Sequence, residues 1–518
     1  PVRLGNYRFV DTGFQEVTVK NYQARALGGL RGEWRGFDWE TALLYSEAEA
    51  EDSSPNINMT ALQRQLALST PDAYNPFGGG CVDTPSYRDC QVSSQAAIDA
   101  ITFDMKRVSR TTLALADFKV SRRDLMTLPG GPLGMAAGVE VRRETQSDDR
   151  DENLDGTFTF VDMVTGERNQ SNVSAVSPNP DTKGDRTVAG AFIEFAVPVV
   201  SPEMNIPLIY SLDFQIAGRA EHYSDFGSVA KPKIAMAWDI IDGLRVRASY
   251  SEGFRAPNLE QVNATQYARS NSGIDYYKCE ADLRAGRIAT FNACNRTASV
   301  PLLISGNPDL KPEESTNQSV GLVFQPRFLP ETLGDFTFTV DRWKIEQTDI
   351  VGLLGGQSGR TLDYLLRMQG SSNPAVVRAA PTADDVALFA GTGLTAVGDI
   401  VSVADQFINL LPQTVEGVDY GIAWSKRRTA WGTFSVRFNA SQLLTFSRAP
   451  GDIIDSLYAA RDAGTINALT TLPDSSQLIG QGGRPEWRIN TSVTWRKGPW
   501  RAGLSTQYVS EVEQTSLL

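Results

Sequence analysis

Residues Lys231–Val262 read KPKIAMAWDIIDGLRVRASYSEGFRAPNLEQV. A strand-like run from Ile234 to Ile240 turns at Asp242-Gly243 into a second run of strict alternation. Leu244, Val246, Ala248 and Tyr250 point one way; Arg245, Arg247, Ser249 and Ser251 point the other. A period of two marks a strand with one apolar and one polar face. Two arginines on one face are costly in a dry core, so that face is expected to be wet. A strand that is apolar outside and wet inside is the pattern of a transmembrane β-barrel. Pro257, which has no amide hydrogen to give, ends the run and starts a loop.

The pattern recurs on both sides of this hairpin. Trp39, Thr41, Leu43 and Tyr45 oppose Glu40, Ala42 and Ser46, and Tyr210, Leu212, Phe214 and Ile216 oppose Asp213, Gln215 and Arg219. Later, Phe434, Val436 and Phe438 oppose Ser435, Arg437 and Asn439. Trp487, Ile489, Val493 and Trp495 oppose Arg488, Asn490, Ser492, Thr494 and Arg496. About fourteen such strands are legible, joined by connections that are alternately short and long, the signature of barrels with short periplasmic turns and long extracellular loops. The expected fold is all-β, a large antiparallel transmembrane barrel. Arg245, Arg247, Arg437, Asn490 and Arg496 should line its lumen, and Val246, Phe434, Phe438, Ile489 and Val493 should face lipid. Trp39, Trp487 and Trp500 are expected at turn ends, where aromatic belts meet headgroups. Strand 335–346 changes phase at Asp341-Arg342, which reads as a β-bulge.

Length and charge narrow the rest. The 518 residues contain no run of about 18 apolar residues, so no transmembrane helix is available. Acidic residues (61) outnumber basic ones (49), for a net charge of −12, which sets nucleic acid aside as a partner. His222 is the one histidine, which removes His-based triads and two-histidine metal sites. With no phosphate-binding or dinucleotide fingerprint either, the chain is not expected to be an enzyme. The four cysteines form two close pairs, Cys81 with Cys90 and Cys279 with Cys294, in polar, turn-rich stretches. Their spacing fits no common zinc pattern, and loop disulfides are the expected state. Asp151-x-Asn153-x-Asp155-Gly156, with Asp162 at the twelfth position, has the ligand spacing of a calcium loop, with Asp in place of the usual Glu. Two readings stay open there, a loop calcium and a solvated Asp-Gly turn. No other cofactor is implied.

Several segments in order carry a resemblance. They are GPLGMAAGVEVRRET (Gly131 to Thr145), YSEGFRAPNLEQV (Tyr250 to Val262), GNPDLKPEES (Gly306 to Ser315), VEGVDYGIAW (Val415 to Trp424) and GRPEWRINTSVTW (Gly483 to Trp495). Together they resemble the barrel of TonB-dependent outer-membrane receptors. The resemblance implies a barrel of roughly 22 strands closed by an N-terminal plug. No stretch here resembles the plug or the TonB-contact box, so residues 1–518 are expected to be the barrel domain alone, incomplete at both ends.

The implied activity is capture of a scarce nutrient (a siderophore–iron complex, a carbohydrate or similar) and its import with TonB-coupled energy. A structural, adhesive or passive-pore barrel is the alternative. The implied location is the outer membrane of a Gram-negative bacterium. Implied partners are the TonB system through a plug outside this chain, outer-membrane lipid, a small-molecule nutrient and a surface lipoprotein. Loops 47–110, 254–315 and 347–414 are the expected ligand-gathering segments. Phe254-Arg255-Ala256-Pro257 and Asn307-Pro308-Asp309-Leu310 resemble the paired boxes of haem receptors, but no histidine lies between them, which disfavours haem. Tyr74, Phe77, Tyr87, Tyr267, Tyr276 and Tyr277 have two open readings, stacking on a ligand or anchoring the loops.

Overall fold

The computed structural model describes residues 7–13, 15–77, 93–410, 412–449, 451–473 and 477–513. Within them fourteen strands form one antiparallel sheet, each paired with its neighbours in chain order. The first four are β1 (Thr18–Trp34), β2 (Phe37–Ile57), β3 (Thr102–Leu128) and β4 (Gly131–Arg150). Next come β7 (Thr182–Val200), β8 (Ser211–Tyr223), β9 (Gly227–Ile241) and β10 (Leu244–Arg255). The series continues with β13 (Glu313–Phe324), β14 (Asp335–Thr348), β19 (Gln413–Thr429) and β20 (Gly432–Arg448), and ends with β21 (Trp487–Lys497) and β22 (Trp500–Val509). The strands numbered in between lie in the long connections. They are β5 (Phe160–Val161), β6 (Arg168–Asn169), β11 (Tyr267–Ile274), β12 (Thr297–Ser305), β15 (Ile350–Gly352), β16 (Val376–Arg378), β17 (Ile400–Gln406) and β18 (Ile408–Leu410). No helix among the described residues is long and apolar enough to cross a membrane.

Residues directly opposite each other on paired strands share a face of the sheet, so register tests the alternation. Val246 stands opposite Trp238 and Leu322, Leu322 opposite Val340, and Val340 opposite Tyr420. Ile422 stands between Phe338 and Phe438, and Val436 between Trp424 and Val493, which in turn meets Leu504. One continuous apolar face results. Leu43, Val320 and Leu504 on it are 67, 59 and 65% exposed, an apolar expanse too broad to leave to water.

The opposite face is ionic. Arg245 pairs with Asp239 (Nε–Oδ1 2.7 Å) and Arg247 with Asp341 (Nη2–Oδ2 2.6 Å). The second pair reaches across Gly321, where an added Cβ would fall 1.8 Å from Asp341 Oδ1; a side chain there would break the pair.

Three sequence expectations are corrected. First, β14 pairs with β13 and β19 without a register break, so there is no bulge at Asp341-Arg342. Phe336, Phe338 and Val340 are succeeded on the same face by Arg342, Lys344 and Glu346. The strand outgrows the apolar band, and its outward face changes chemistry while its phase stays fixed.

Second, Trp487 opens β21 at the long-connection end, its ring stacked 6.1 Å from Tyr420, whereas Trp39 and Trp500 lie at short turns. Three other indoles seal the short turns by donating to backbone carbonyls: Trp238 to Leu208 O (2.9 Å), Trp424 to Leu333 O (2.8 Å) and Trp495 to Trp431 O (2.6 Å).

Third, the strands run further than the alternation suggests, so the three expected ligand loops shrink to 58–101, 256–312 and 349–412. In the extensions both faces meet water. Arg107 lies 3.7 Å from Asp52 and Arg110 lies 3.3 Å from Glu47, so polar residues on both sides erase the period-two signal.

The buried cores lie in the long connections rather than on the sheet. The largest draws on three of them. Tyr276, Tyr277 and Phe291 come from 256–312, Tyr364, Leu365, Phe389 and Val397 from 349–412, and Ile454, Leu457, Ala460 and Ile466 from the connection after β20. β12 and β17, from two different connections, pair in parallel in a four-stranded sheet ordered β11-β12-β17-β16. These connections therefore form one folded cap instead of separate loops. A second core, from Ile57, Leu62, Tyr74, Ala97 and Ile101, closes the 58–101 segment.

Of the two expected disulfides, the structure describes one. Cys279 and Cys294 are bonded, with S–S 1.97 Å. Cys81 and Cys90 lie outside the described residues, so the bond expected between Cys81 and Cys90 stays an expectation from the sequence.

Candidate functional site

The polar face carries a cavity of about 800 Å³ near the cap, lined by Arg186, Arg219, Tyr223, Lys231, Phe254 and Arg255 among others. Most of its cations are held by carboxylates. Arg186 meets Glu144 (2.8 Å), Lys231 meets Glu314 (3.0 Å), Arg219 meets Glu221, and Arg255 meets Glu313. Lys233, also in the lining, has no ion pair among the described residues. Such a wall presents fixed cations and aromatic surface, suited to an anionic ligand that can compete with the resident carboxylates.

The two sequence motifs meet at the edge of this cavity. Pro257 O accepts from Arg186 Nη1 (2.7 Å), and Phe254 lies edge-on to Tyr223 at 6.1 Å. Asn258 caps the short helix Leu259–Asn263 in a reciprocal box with Gln261. Gln261 O then accepts from Asn307 N (2.9 Å), and Ala264 O accepts from Gly306 N (2.9 Å). Asn307 donates through Nδ2 to Phe407 O (2.8 Å) and accepts through Oδ1 from Asp309 N (2.9 Å); Leu310 is buried beside it. The motif residues thus form a strut that joins sheet to cap. Their polar atoms are largely committed to it.

Polar ties reinforce the cap beside the Cys279–Cys294 bond. Tyr364 Oη donates to Glu280 Oε2 (2.9 Å) and accepts from Asn467 N (3.2 Å), which links all three connections through one hydroxyl. Lys278 Nζ reaches both Asp385 (2.7 Å) and Asp399 (2.6 Å). Tyr74, Tyr276 and Tyr277 are buried anchors, while Phe77 stands 65% exposed. Tyr267 lies under Arg269, 4.6 Å from ring centre to guanidinium. Tyr87, like Cys81 and Cys90, lies outside the described residues.

These ties set a pH dependence. Burial pushes the Asp282 carboxyl up, but the Arg296 and Arg287 guanidiniums, 2.7 and 2.6 Å away, overcome it and hold it below its ordinary value. The Lys278 ammonium and the Thr382 backbone and hydroxyl donors do the same for Asp385. A carboxyl lowered in the folded state gives stability that is complete above its unfolded value, near pH 4, and is lost as pH falls toward the folded value. Hydrogen exchange of the cap in full-length protein should therefore be flat from about pH 7 to 5, after correction for intrinsic rates, and should accelerate below about pH 4. Loosening between about pH 7 and 5 would contradict this assignment.

At the calcium-spaced segment, turns take up the oxygens. Asp151 Oδ1 accepts from Asn153 N (3.0 Å), Asp155 Oδ1 from Thr157 N (2.7 Å), and Asp162 Oδ1 from Val164 N (2.7 Å). Asn153 Oδ1 accepts from Asn58 and Asn172, tying this connection to the 58–101 segment. Among the described residues, no group of three or more His, Cys, Asp or Glu side chains is placed to hold a metal ion.

The connection after β20 is absent from the expected ligand loops, yet its helix Asp452–Asp462 completes the cap core. The signal is present as Ile454, Leu457 and Ala460 at helical spacing, in a segment that otherwise reads only as a loop.

A family model described as "TonB dependent receptor-like, beta-barrel" matches residues 3–516. A probable TonB-dependent siderophore receptor, PirA of Acinetobacter baumannii, is 25% identical over 204 residues, 38% of this chain and 23% of that protein. An iron-regulated outer membrane virulence protein of Vibrio cholerae is 28% identical over 107 residues, 21% of this chain and 12% of that protein. The solved siderophore receptor PirA from Acinetobacter baumannii superposes with a TM-score of 0.52 at 12% identity, covering 96% of this chain and 52% of that one. A mutant of the ferric enterobactin receptor PfeA from Pseudomonas aeruginosa gives 0.53 at 12% identity, covering 95% and 49%. At these identities the structural likeness shows the fold alone. The chain spans about half the length of these solved relatives.

Proposed function

We propose, from the premise that this chain belongs to the TonB dependent receptor-like β-barrel family, that it forms the lipid-facing wall and the ligand-gathering cap of an outer-membrane receptor. The receptor captures an iron-carrying siderophore or a comparable scarce nutrient and imports it with energy delivered through the TonB system of a Gram-negative bacterium. The observation that carries this reading is the pairing of a broad exposed apolar face with an ionic face, capped at one end by a folded module. A soluble sheet has no use for the first, and a simple pore has no use for the last. The cavity near the cap, lined by carboxylate-paired cations with Tyr223 and Phe254, suits an anionic ligand able to displace those carboxylates, such as a siderophore, the class named for its sequence relative PirA. The family is one of receptors and transporters rather than of enzymes.

The test is uptake of a radiolabelled ferric siderophore panel by cells carrying the full-length protein. Import of at least one member should depend on the protein and stop when the proton-motive force is collapsed. Import that continues without that force would mean a passive pore. Surface binding with no import would mean an adhesive or structural barrel.

A further inference from the structure

Two neighbouring short turns carry an unusual charge. The β19–β20 hairpin, residues 425–435, contains Lys426, Arg427 and Arg428 and no acidic residue. The β21–β22 hairpin, residues 494–503, contains Arg496, Lys497 and Arg501 and no acidic residue. β20 and β21 pair along their length, so the two turns adjoin. In a chain of net charge −12 this local excess of cations stands apart. The neighbouring Asp335 lies opposite Ser425, on the ionic face.

Register divides these side chains between the faces. Lys426 follows Trp424 on the apolar face, opposite Phe434, and Lys497 follows Trp495 there, opposite Trp500. Arg496 and Arg501 fall on the ionic face. Lys497 Nζ sits 5.6 Å from the centre of the Trp431 ring, and Trp431 and Trp500 are 74 and 71% exposed. Neither lysine has a hydrogen bond or ion pair among the described residues. Several outward cations just beyond the other rim of the apolar band are paired with acids instead. Arg110 meets Glu47 (3.3 Å), Arg143 meets Asp185 (3.0 Å), Lys344 meets Glu346 (2.8 Å), and Arg342 meets Glu416.

We infer that these adjoining turns form a docking patch for anionic phospholipid headgroups. The inference rests on the membrane-spanning reading above. The exposed indoles settle at the interfacial depth, the aliphatic stems of Lys426 and Lys497 run along the apolar face, and their ammonium groups reach the phosphate layer. Cations next to a membrane surface favour anionic lipid, and no resident carboxylate here competes for them. The patch thereby fixes the depth of β19 to β22 and selects acidic lipid in the leaflet that meets the short turns.

The experiment reconstitutes full-length protein into bilayers and follows quenching of its tryptophans by brominated phosphatidylglycerol and brominated phosphatidylcholine. The wild type should prefer the anionic lipid at this rim. The Lys426→Gln/Lys497→Gln variant should lose roughly fivefold of that preference per lysine removed. Lys183→Gln, at the long-connection end, should leave it unchanged. An equal preference in the double variant, no preference in the wild type, or displacement of phospholipid by lipopolysaccharide phosphates would each overturn the proposal. Failure to insert into bilayers of any composition would instead bring down the membrane-spanning reading, and this patch with it.

Discussion

Replacing Asp363 with alanine is expected to destabilise the cap by about 3–5 kcal/mol, the usual cost of removing one partner of a buried ion pair. Asp363 lies in the helix Gly356–Met368 with a fully buried side chain. It accepts from Arg367 Nε (2.8 Å), Arg378 Nε (3.0 Å) and Asn373 N (3.1 Å). Arg378 is itself buried and is gripped on its far side by Asp275 at 2.6 and 2.9 Å. One chain of charges thus ties the start of the helix Tyr276–Arg284 to the helix Gly356–Met368 and to β16. Without Asp363 the buried Arg378 keeps one carboxylate, and Asn373 N loses its acceptor. Asp363→Asn keeps an acceptor oxygen and should cost less. Hydrogen exchange in the full-length protein should accelerate in 276–284, 356–368 and 400–406, with β9 and β10 unchanged. Unaltered exchange in the cap would show that apolar packing alone holds it, and that the ion-pair chain is incidental.

The sheet was legible in the sequence wherever a strand has one wet face and one apolar face. Val246, Val436 and Val493 alternate with Arg245, Arg437 and Asn490, and register sets them on opposite faces as the period demands. Legibility failed where that chemical contrast ended. Arg342, Lys344 and Glu346 continue the outward face of β14 into water, and the change of composition imitated a slip of phase. Glu47 and Arg110 lie in strand extensions whose faces are both polar, so the extensions read as loop. The cap was invisible for a different reason. Its sheet joins β12 to β17 across about a hundred residues, and its core gathers side chains from three connections. No local period encodes that assembly. Each piece alone looks like a loop with a few apolar residues. The cavity was hidden in the same way, because Arg186, Arg219, Lys231 and Arg255 converge through strand pairing and not through proximity in sequence.

The apolar face yields the second large effect, and it separates the membrane-spanning reading from a sheet that meets water. Val436 lies on β20 opposite Trp424 and Val493, with Phe434 and Phe438 beside it on the same face. Arginine at this position places a guanidinium on the apolar band, opposite the Trp424 indole on its short-turn side. For a barrel strand the cost is about 2–4 kcal/mol at the bilayer midplane and falls to about 0–1 kcal/mol at the interface, because a charge in hydrocarbon keeps no hydration and finds no partner; Val436 lies between the two. No acid is in reach on this face: the carboxylates of Asp341 and Asp419 lie on the opposite side of the sheet. The adjacent Arg437→Gln change, on the ionic face, keeps a polar group where polar groups already stand and should cost far less. Reversible folding of the full-length protein into lipid vesicles, followed by denaturant titration, measures both variants. Val436→Arg should lower stability by about 1–2 kcal/mol in a bilayer of ordinary thickness. If the two variants are equally mild, the face around Val436 meets water or protein instead of lipid, and the assignment of outward and inward faces must be reversed.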